Sequence, residues 1–315
     1  MTVVFMFPGQ SSRYPEMIEK LAAEKPCATL IAHASHVLGR DLRAHYRGNN
    51  AEAFATNRDV QVGVFLANHL HLAVLEAAGV TSPWSLGLSL GEYNHLVHIG
   101  AIAFADALRL VEARGTLYDD ARDGLMVSVF PLAASIVEAA IAKLGVGDRV
   151  AVGLYNSPRQ QVLSGERTAV ERVIAALEQD DFFDSTVIEP RIPMHAPCFA
   201  ATGDRLAAVL EDVEIAEPRG IYVPNVLGQL VERATPRQIR SCLVAHVHRP
   251  VRWQASVDAM AAQVAAPWFV EVGPRAVLHN LFGKDWTPGR RATTDATSEW
   301  PTHLAMLTMG LRDAG

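Results

Sequence analysis

The stretch Leu86-Gly87-Leu88-Ser89-Leu90-Gly91-Glu92 places one serine between two glycines where an apolar segment ends and an amphipathic one begins. Trp84 to Leu86 reads as a strand, and Gly91 to Leu96 as the start of a helix. A G-x-S-x-G string between a strand and a helix describes a nucleophile elbow, a tight turn that leaves the serine hydroxyl exposed. The flanking glycines are needed because a side chain at either place would strike neighbouring backbone. The string alone fits an esterase, a lipase or an ordinary turn serine, so the rest of the chain has to narrow it.

Upstream, Val3 to Phe7 reads as a short buried strand, followed by the polar loop Pro8-Gly9-Gln10-Ser11-Ser12. Residues 15–40 and 60–78 carry apolar positions at helical spacing, Gly79 closes the second segment, and a further helix is expected from Ala105 to about Asp120. From Leu125 the pattern changes. Strands are expected at Met126–Leu132, Val150–Tyr155, Gln161–Ser164 and Val187–Ile192, with helices at Ala133–Leu144 and Thr168–Gln179. That βαββαβ order is the order of a ferredoxin-like unit. The expected fold class is therefore α/β: a large hydrolase-like domain with a parallel-sheet core, residues 1–124 and 196–315, into which a small ferredoxin-like subdomain, residues 125–195, is inserted. The large domain resumes with helices near Ala200–Leu210 and Arg237–His246 and a strand at Trp268–Val272 that Gly273-Pro274 ends. Residues 284–301, rich in Thr, Arg, Gly, Pro and Asp, are expected to form a loose loop before a final helix.

With 315 residues, 50% hydrophobic and 20% charged, the chain has enough apolar material for a full core. Its net charge of −6 offers no general attraction to nucleic acid or to an anionic membrane, so an acidic partner would need a local basic patch. Cys27, Cys198 and Cys242 are odd in number and lack metal-ligand spacing, which argues against disulfides and zinc and for a reducing, cytoplasmic compartment. The apolar start, Met1 to Phe7, is too short for a signal peptide and has no basic leader. No window of eighteen uninterrupted apolar residues suggests a membrane span.

A serine hydroxyl needs a base within hydrogen-bond reach, and histidine is the usual choice. Among twelve histidines, the pairs His69 with His71 and His95 with His98 fall on helical patterns and read as surface or core-edge residues. His195 differs, because Ile192-Pro193-Met194-His195-Ala196-Pro197 is a proline-bracketed turn at the seam between the two expected domains. Seams of this kind form clefts.

Phe7-Pro8-Gly9-Gln10, the elbow through Tyr93, Val111-Glu112-Ala113-Arg114-Gly115, Tyr155-Asn156-Ser157-Pro158, Val162-Leu163-Ser164-Gly165, Pro193-Met194-His195, Arg249-Pro250-Val251-Arg252-Trp253 and Glu271-Val272-Gly273-Pro274 occur in one order. In that order, over roughly residues 3–283, the chain resembles malonyl-CoA:acyl-carrier-protein transacylases and the discrete or modular acyltransferases of polyketide synthases. The resemblance implies a ping-pong transfer in which Ser89 takes a malonyl-type group from coenzyme A and gives it to the phosphopantetheine thiol of an acyl carrier protein. His195 would act as base and then acid, the backbone N–H groups of Gln10 and Leu90 would form the oxyanion hole, and the backbone carbonyl of His246 would orient His195. Arg114, by spacing alone a surface arginine on an amphipathic helix, would pair with the free carboxylate of the acyl group. No cofactor or metal is implied beyond the coenzyme A thioester itself.

Several positions depart from the family's commonest spelling. Leu88 stands where many members have histidine, Arg13 adds a positive charge near the expected cleft, and His246 stands where glutamine is usual. Asn94-His95 after the elbow is also unusual. The turn Ile192-Pro193-Met194-His195 differs from the family's signatures of malonyl or methylmalonyl selection and leaves the size of the acyl group open. A second reading is a specialised polyketide-pathway acyltransferase or editing hydrolase acting on a non-malonyl group or an acyl-carrier donor. A third, a non-catalytic carrier-binding relative, conflicts with the retained Ser89 and His195. Candidate basic residues for an acidic carrier are Arg249, Arg252, Arg275, Lys284, Arg290 and Arg291.

Overall fold

The computed structural model describes residues 2–48, 50–295 and 308–311. Its core is a parallel sheet of β1 (Thr2–Phe7), β2 (Ser85–Gly87), β7 (Pro267–Glu271) and β8 (Arg290–Thr293), in the order β2-β1-β7-β8. Val4 to Phe7 are fully buried, as expected of a strand covered on both faces. β1 has β2 on one side and β7 on the other. The loops leaving the carboxyl ends of β1 and β2 therefore diverge at a topological switch point, the place where open α/β sheets hold ligands.

Between these strands lie α1 (Lys25–Leu38), α2 (Leu42–His45), α3 (Asn57–Ala77), α4 (Gly91–His98) and α5 (Phe104–Asp119). Residues 15–24 do not extend α1 as the spacing had predicted, since Pro26 has no N–H to continue a helix and instead starts one. Helix α3 is long and apolar enough, by length and composition, to cross a membrane, but most of it is buried within the protein. The Asp119 carboxylate at the end of α5 accepts the N–H groups of Asn57 and Arg58 at 2.7 and 3.1 Å, which caps the start of α3. Gly115 lets the two helices meet there, for a Cβ would lie 2.6 Å from Arg58 Cα. This crossing fixes α3 beside Arg114.

β3 (Gly124–Phe130), α6 (Ala134–Leu144), β4 (Val150–Ser157), β5 (Gln160–Glu166), α7 (Arg167–Asp180) and β6 (Asp184–Glu189) form a second, wholly antiparallel sheet in the order β4-β5-β3-β6. That is the ferredoxin-like arrangement. Its last strand ends at Glu189 rather than at Ile192, because Pro190 cannot donate to a ladder. The chain returns through α8 (Ala200–Glu211), α9 (Pro236–His248), α10 (Trp253–Gln263) and α11 (Val277–Leu281). The two parts are stitched by Tyr155 and Val251, whose N–H groups bond to Val251 and Gly153 carbonyls at 2.9 and 2.8 Å.

One expectation fails in this last part. Arg290–Thr293, placed in a loose loop by composition, is the edge strand β8, paired in parallel with β7 from Trp268↔Arg290 to Glu271↔Thr293. An exposed edge strand needs only backbone pairing, so its sequence shows no apolar alternation. Residues 296–301 of that expected loop, and most of the expected final helix, lie outside the described residues, of which 308–311 are helical.

Candidate functional site

Ser89 sits at the carboxyl end of β2 with φ of +52°, and Gly87 and Gly91 are what permit the turn. A Cβ at Gly87 would lie 2.0 Å from Gly91 O, and one at Gly91 would lie 2.0 Å from Phe7 O. Neither contact is survivable, because both partners are backbone. The serine itself carries the strained conformation, at a cost of about 1–3 kcal/mol that the surrounding structure must hold.

His195 also has positive φ, +66°. Its N–H donates to Val247 O at 2.9 Å, and the Ser164 hydroxyl donates to the carbonyl of Met194 just before it. Its ring reaches Ser89: Nε2 lies 2.8 Å from Ser89 Oγ. Nδ1 lies 2.7 Å from the carbonyl oxygen of His246, and since a carbonyl only accepts, Nδ1 carries the proton. Nε2 is then the free acceptor for the serine proton. Burial, with help from the charge of Arg114 and against the pull of the His246 carbonyl, lowers the His195 pKa to about 3, so the ring is neutral at ordinary pH.

The crevice above Ser89 is lined by Gly9, Gln10, Ser11 and Arg13 from the loop after β1, by Leu88, and by Met126, Leu154, Ile188, Glu189, Met194 and His195. Gln10 and Leu90 each stand at the start of a helical turn, Gln10 heading a short 3-10 turn and Leu90 preceding α4. Helix starts leave backbone N–H groups without an intrahelical acceptor. Arg13 bonds back to Gln10 O at 3.3 Å through Nη1 and is half-buried at the mouth of the crevice.

Arg114 is not the surface arginine that its helical spacing suggests, for it is 1% exposed. Its guanidinium lies 4.4 Å from the ring centroid of Tyr118 and 5.3 Å from that of Tyr93. Nη1 donates to Gln61 Oε1 at 2.6 Å, whereas Nε and Nη2 have no hydrogen-bond partner. Those two donors form one edge of the fork, the edge that takes a carboxylate side-on. Gln61 is a site residue the sequence reading missed. Asn57, Gln61 and Asn68 are buried polar residues at helical spacing on the largely apolar α3, and that stripe was the available signal.

The elbow is braced from behind. Asn225 Oδ1 accepts the Ser89 N–H at 2.7 Å, and Asn225 Nδ2 donates to Gly87 O at 2.7 Å. His69, His71 and His95, read as surface or core-edge residues, are in the core. His95 Nε2 accepts the Val223 N–H at 3.0 Å, so Nδ1 carries the proton and donates to Ser85 Oγ at 2.8 Å. The Ser85 hydroxyl is then left to donate to His98 Nδ1 at 2.9 Å. Asn94, the other unusual residue after the elbow, accepts from Asn68 at 2.9 Å and donates to Phe65 O at 3.0 Å. Among the described residues no cluster of three or more potential metal ligands occurs.

The family description for the acyl transferase domain matches residues 4–289. The malonyl CoA-acyl carrier protein transacylase of Escherichia coli K12 is 33% identical over 282 residues, 88% of this chain and 90% of its own length. Among solved structures, a malonyl-transacylase in complex with its type II polyketide synthase acyl-carrier protein is 30% identical, with a TM-score of 0.88 over 97% of this chain and all of that one. The malonyl CoA-acyl carrier protein transacylase of Clostridium perfringens is 25% identical, with a TM-score of 0.89 over the whole of both chains.

Proposed function

Since the chain belongs to the acyl transferase domain family, among the malonyl CoA-acyl carrier protein transacylases, we propose that it moves a malonyl-type group from coenzyme A to the phosphopantetheine thiol of an acyl carrier protein. The observation that carries this reading is the open Nε/Nη2 edge of Arg114, a buried cation whose charge is felt at His195. An unpaired buried guanidinium is costly, and a free carboxylate on the acyl group would satisfy it.

In the first half-reaction Ser89 Oγ attacks the thioester carbonyl while its proton passes to His195 Nε2, 2.8 Å away. The N–H groups of Gln10 and Leu90 receive the oxyanion, each worth about 2.7–4 kcal/mol in the transition state. Collapse breaks the C–S bond, and His195 returns the proton to the departing coenzyme A thiolate. In the second half the carrier thiol gives its proton to His195 and attacks the Ser89 ester, and Ser89 leaves with that proton. No cofactor beyond the thioester substrate enters these steps.

The six basic residues proposed for carrier contact are all exposed, although Arg291 is engaged with the carbonyls of His279 and Phe282 and Arg252 lies 5.6 Å from the Tyr155 ring. Carrier transfer that weakens as salt rises would support their role. Three free cysteines, two of them buried, fit work in a reducing cytoplasm. The test of the function is to incubate the protein with malonyl-CoA, follow the mass of the Ser89 peptide, and then add holo carrier protein. A malonyl adduct on Ser89 that passes to the carrier is the expected result. No adduct, or release only as free acid, would refute transfer, the second pointing to a hydrolase.

A further inference from the structure

Glu92 is 0% exposed and takes no part in the steps above. One of its oxygens accepts the Tyr222 hydroxyl. The other accepts the Asn225 N–H at 3.3 Å and stands 3.3 Å from His246 Nδ1. Asn225 in turn holds the Ser89 N–H and the Gly87 carbonyl. On the other side the His246 ring stacks on the His195 ring, with centroids 4.8 Å apart and planes 24° from parallel, while the His246 carbonyl holds His195 Nδ1.

These contacts close a circuit. It runs from the Ser89 backbone through Asn225 to Glu92, from Glu92 through His246 to His195, and back to the Ser89 hydroxyl. We propose that Glu92 and the imidazole of His246 are positioning residues for the serine–histidine pair, one buried carboxylate fixing both halves and acting on His195 through the stacked ring. The inference rests on the catalytic roles proposed for Ser89 and His195.

The chemistry follows from charge. When Ser89 gives its proton to His195, a cation forms on a ring whose Nδ1 meets only a neutral carbonyl. A neutral imidazole stacked against that cation offers it a π face, and the Glu92 carboxylate 3.3 Å from the stacked ring's Nδ1 sets a negative charge behind it. At 3.3 Å the two groups are close but His246 Nδ1 makes no hydrogen bond, the loose contact from which catalytic groups tighten when substrate binds.

Protonating Glu92 would remove this support. Burial raises its pKa to about 7, against the lowering effects of the Tyr222 hydroxyl, the Asn225 N–H and the charge of Arg114. The other titratable groups facing it are His246 and Cys242 on α9 and Tyr93 on α4. The acid limb of acylation near neutrality therefore belongs to Glu92, while His195 protonates far lower, near 3.

The experiment measures single-turnover labelling of Ser89 as a function of pH in the wild type, Glu92→Gln, His246→Phe, His246→Gln and the double variant Glu92→Gln/His246→Phe. Two electrophiles are used, malonyl-CoA and a fluorophosphonate, so that loss of dyad alignment is read apart from donor recognition. For the wild type, labelling falls as pH drops through about 7. Glu92→Gln loses that limb, and its plateau rate drops about 10- to 100-fold, the usual cost of losing a supporting partner, with KM for malonyl-CoA nearly unchanged. His246→Phe keeps a ring and the carbonyl but no Nδ1, and should fall as Glu92→Gln does. The double variant should be no worse than the slower single variant, the non-additivity of residues acting through each other. His246→Gln keeps the carbonyl and loses the stack, so it too should slow. If Glu92→Gln fails to fold, the two His246 variants carry the test. Wild-type rates in either His246 variant, additive losses in the double variant, or an acid limb that persists in Glu92→Gln would overturn the proposal. If malonyl-CoA leaves Ser89 unmodified while the fluorophosphonate shows the stated pattern, the positioning role stands and the malonyl reading falls.

Discussion

Arg114→Ala separates malonyl recognition from the rest of the machinery. The guanidinium edge formed by Nε and Nη2 is free, and a carboxylate placed there would receive two charge-assisted hydrogen bonds. At about 1.5–3 kcal/mol each, their loss amounts to about 3–6 kcal/mol, or about two to four orders of magnitude in kcat/KM for malonyl-CoA. An acetyl group makes neither bond. Removing the Arg114 charge also relieves one of the influences that depress His195, so loading from acetyl-CoA should be unchanged or somewhat faster. The assay is single-turnover acylation of Ser89 from each donor, read as intact mass, together with a thermal melt because Gln61 loses its 2.6 Å partner. Equal losses for the two donors would refute the assignment and make Arg114 a structural residue. Arg114→Lys should fall between, since an ammonium is a point charge that cannot reproduce the side-on fork.

Three further outcomes follow from the same geometry. Gly91→Ala would put a methyl 2.0 Å from Phe7 O, and urea unfolding should show at least about 3 kcal/mol of destabilisation; near-native stability would contradict the close approach of β1 and α4. Asn225→Ala removes the acceptor for Ser89 N–H and the donor to Gly87 O, at about 1 kcal/mol each, and Asn225→Asp should be worse because it sets an acceptor against the Gly87 carbonyl. Stability should also fall in mild acid. Burial lowers His69, His95 and His195 to about 3 and His71 and His98 to about 4, below the ordinary 6.5, so their contribution is complete above 6.5 and is lost as pH falls toward those values. Burial raises Glu92 to about 7 and Glu271 to about 8, which acts in the opposite sense, favouring the fold below 4.5 and weakening it as pH rises through 7 and 8. Burial also holds His246 well below 6.5 and raises Glu76 and Glu189, so six histidines stand against four carboxyls; urea midpoints should drop between about pH 7 and pH 5, and a flat profile would count against these neutral buried rings.

What could be read from the sequence was the part written in local signals. The glycine pair of the elbow, the apolar β1 and the βαββαβ succession after Leu125 are each short-range, and each matches elements in the structure. The position of Arg114 was legible only through resemblance, because helical spacing cannot tell a buried cation from an exposed one; its burial depends on Tyr93, Tyr118 and Gln61 arriving from other segments. Asn225 and Glu92 went unseen for the same reason. A glutamate in the first turn of a helix reads as a favourable charge at the dipole, not as a buried one. The buried histidines were misplaced because histidine is not counted as apolar, though neutral imidazole packs readily once its nitrogens are bonded.

Three loops build the crevice from distant parts of the chain. Ser89 finds its histidine 106 residues away and the side chain that holds its N–H 136 residues away. Loop closure over such spans comes late in folding, when few degrees of freedom are left. Acylation competence is thus a gauge of complete assembly: in a refolding time course, Ser89 reactivity should return after helicity and compactness have recovered, with no partially active intermediate between.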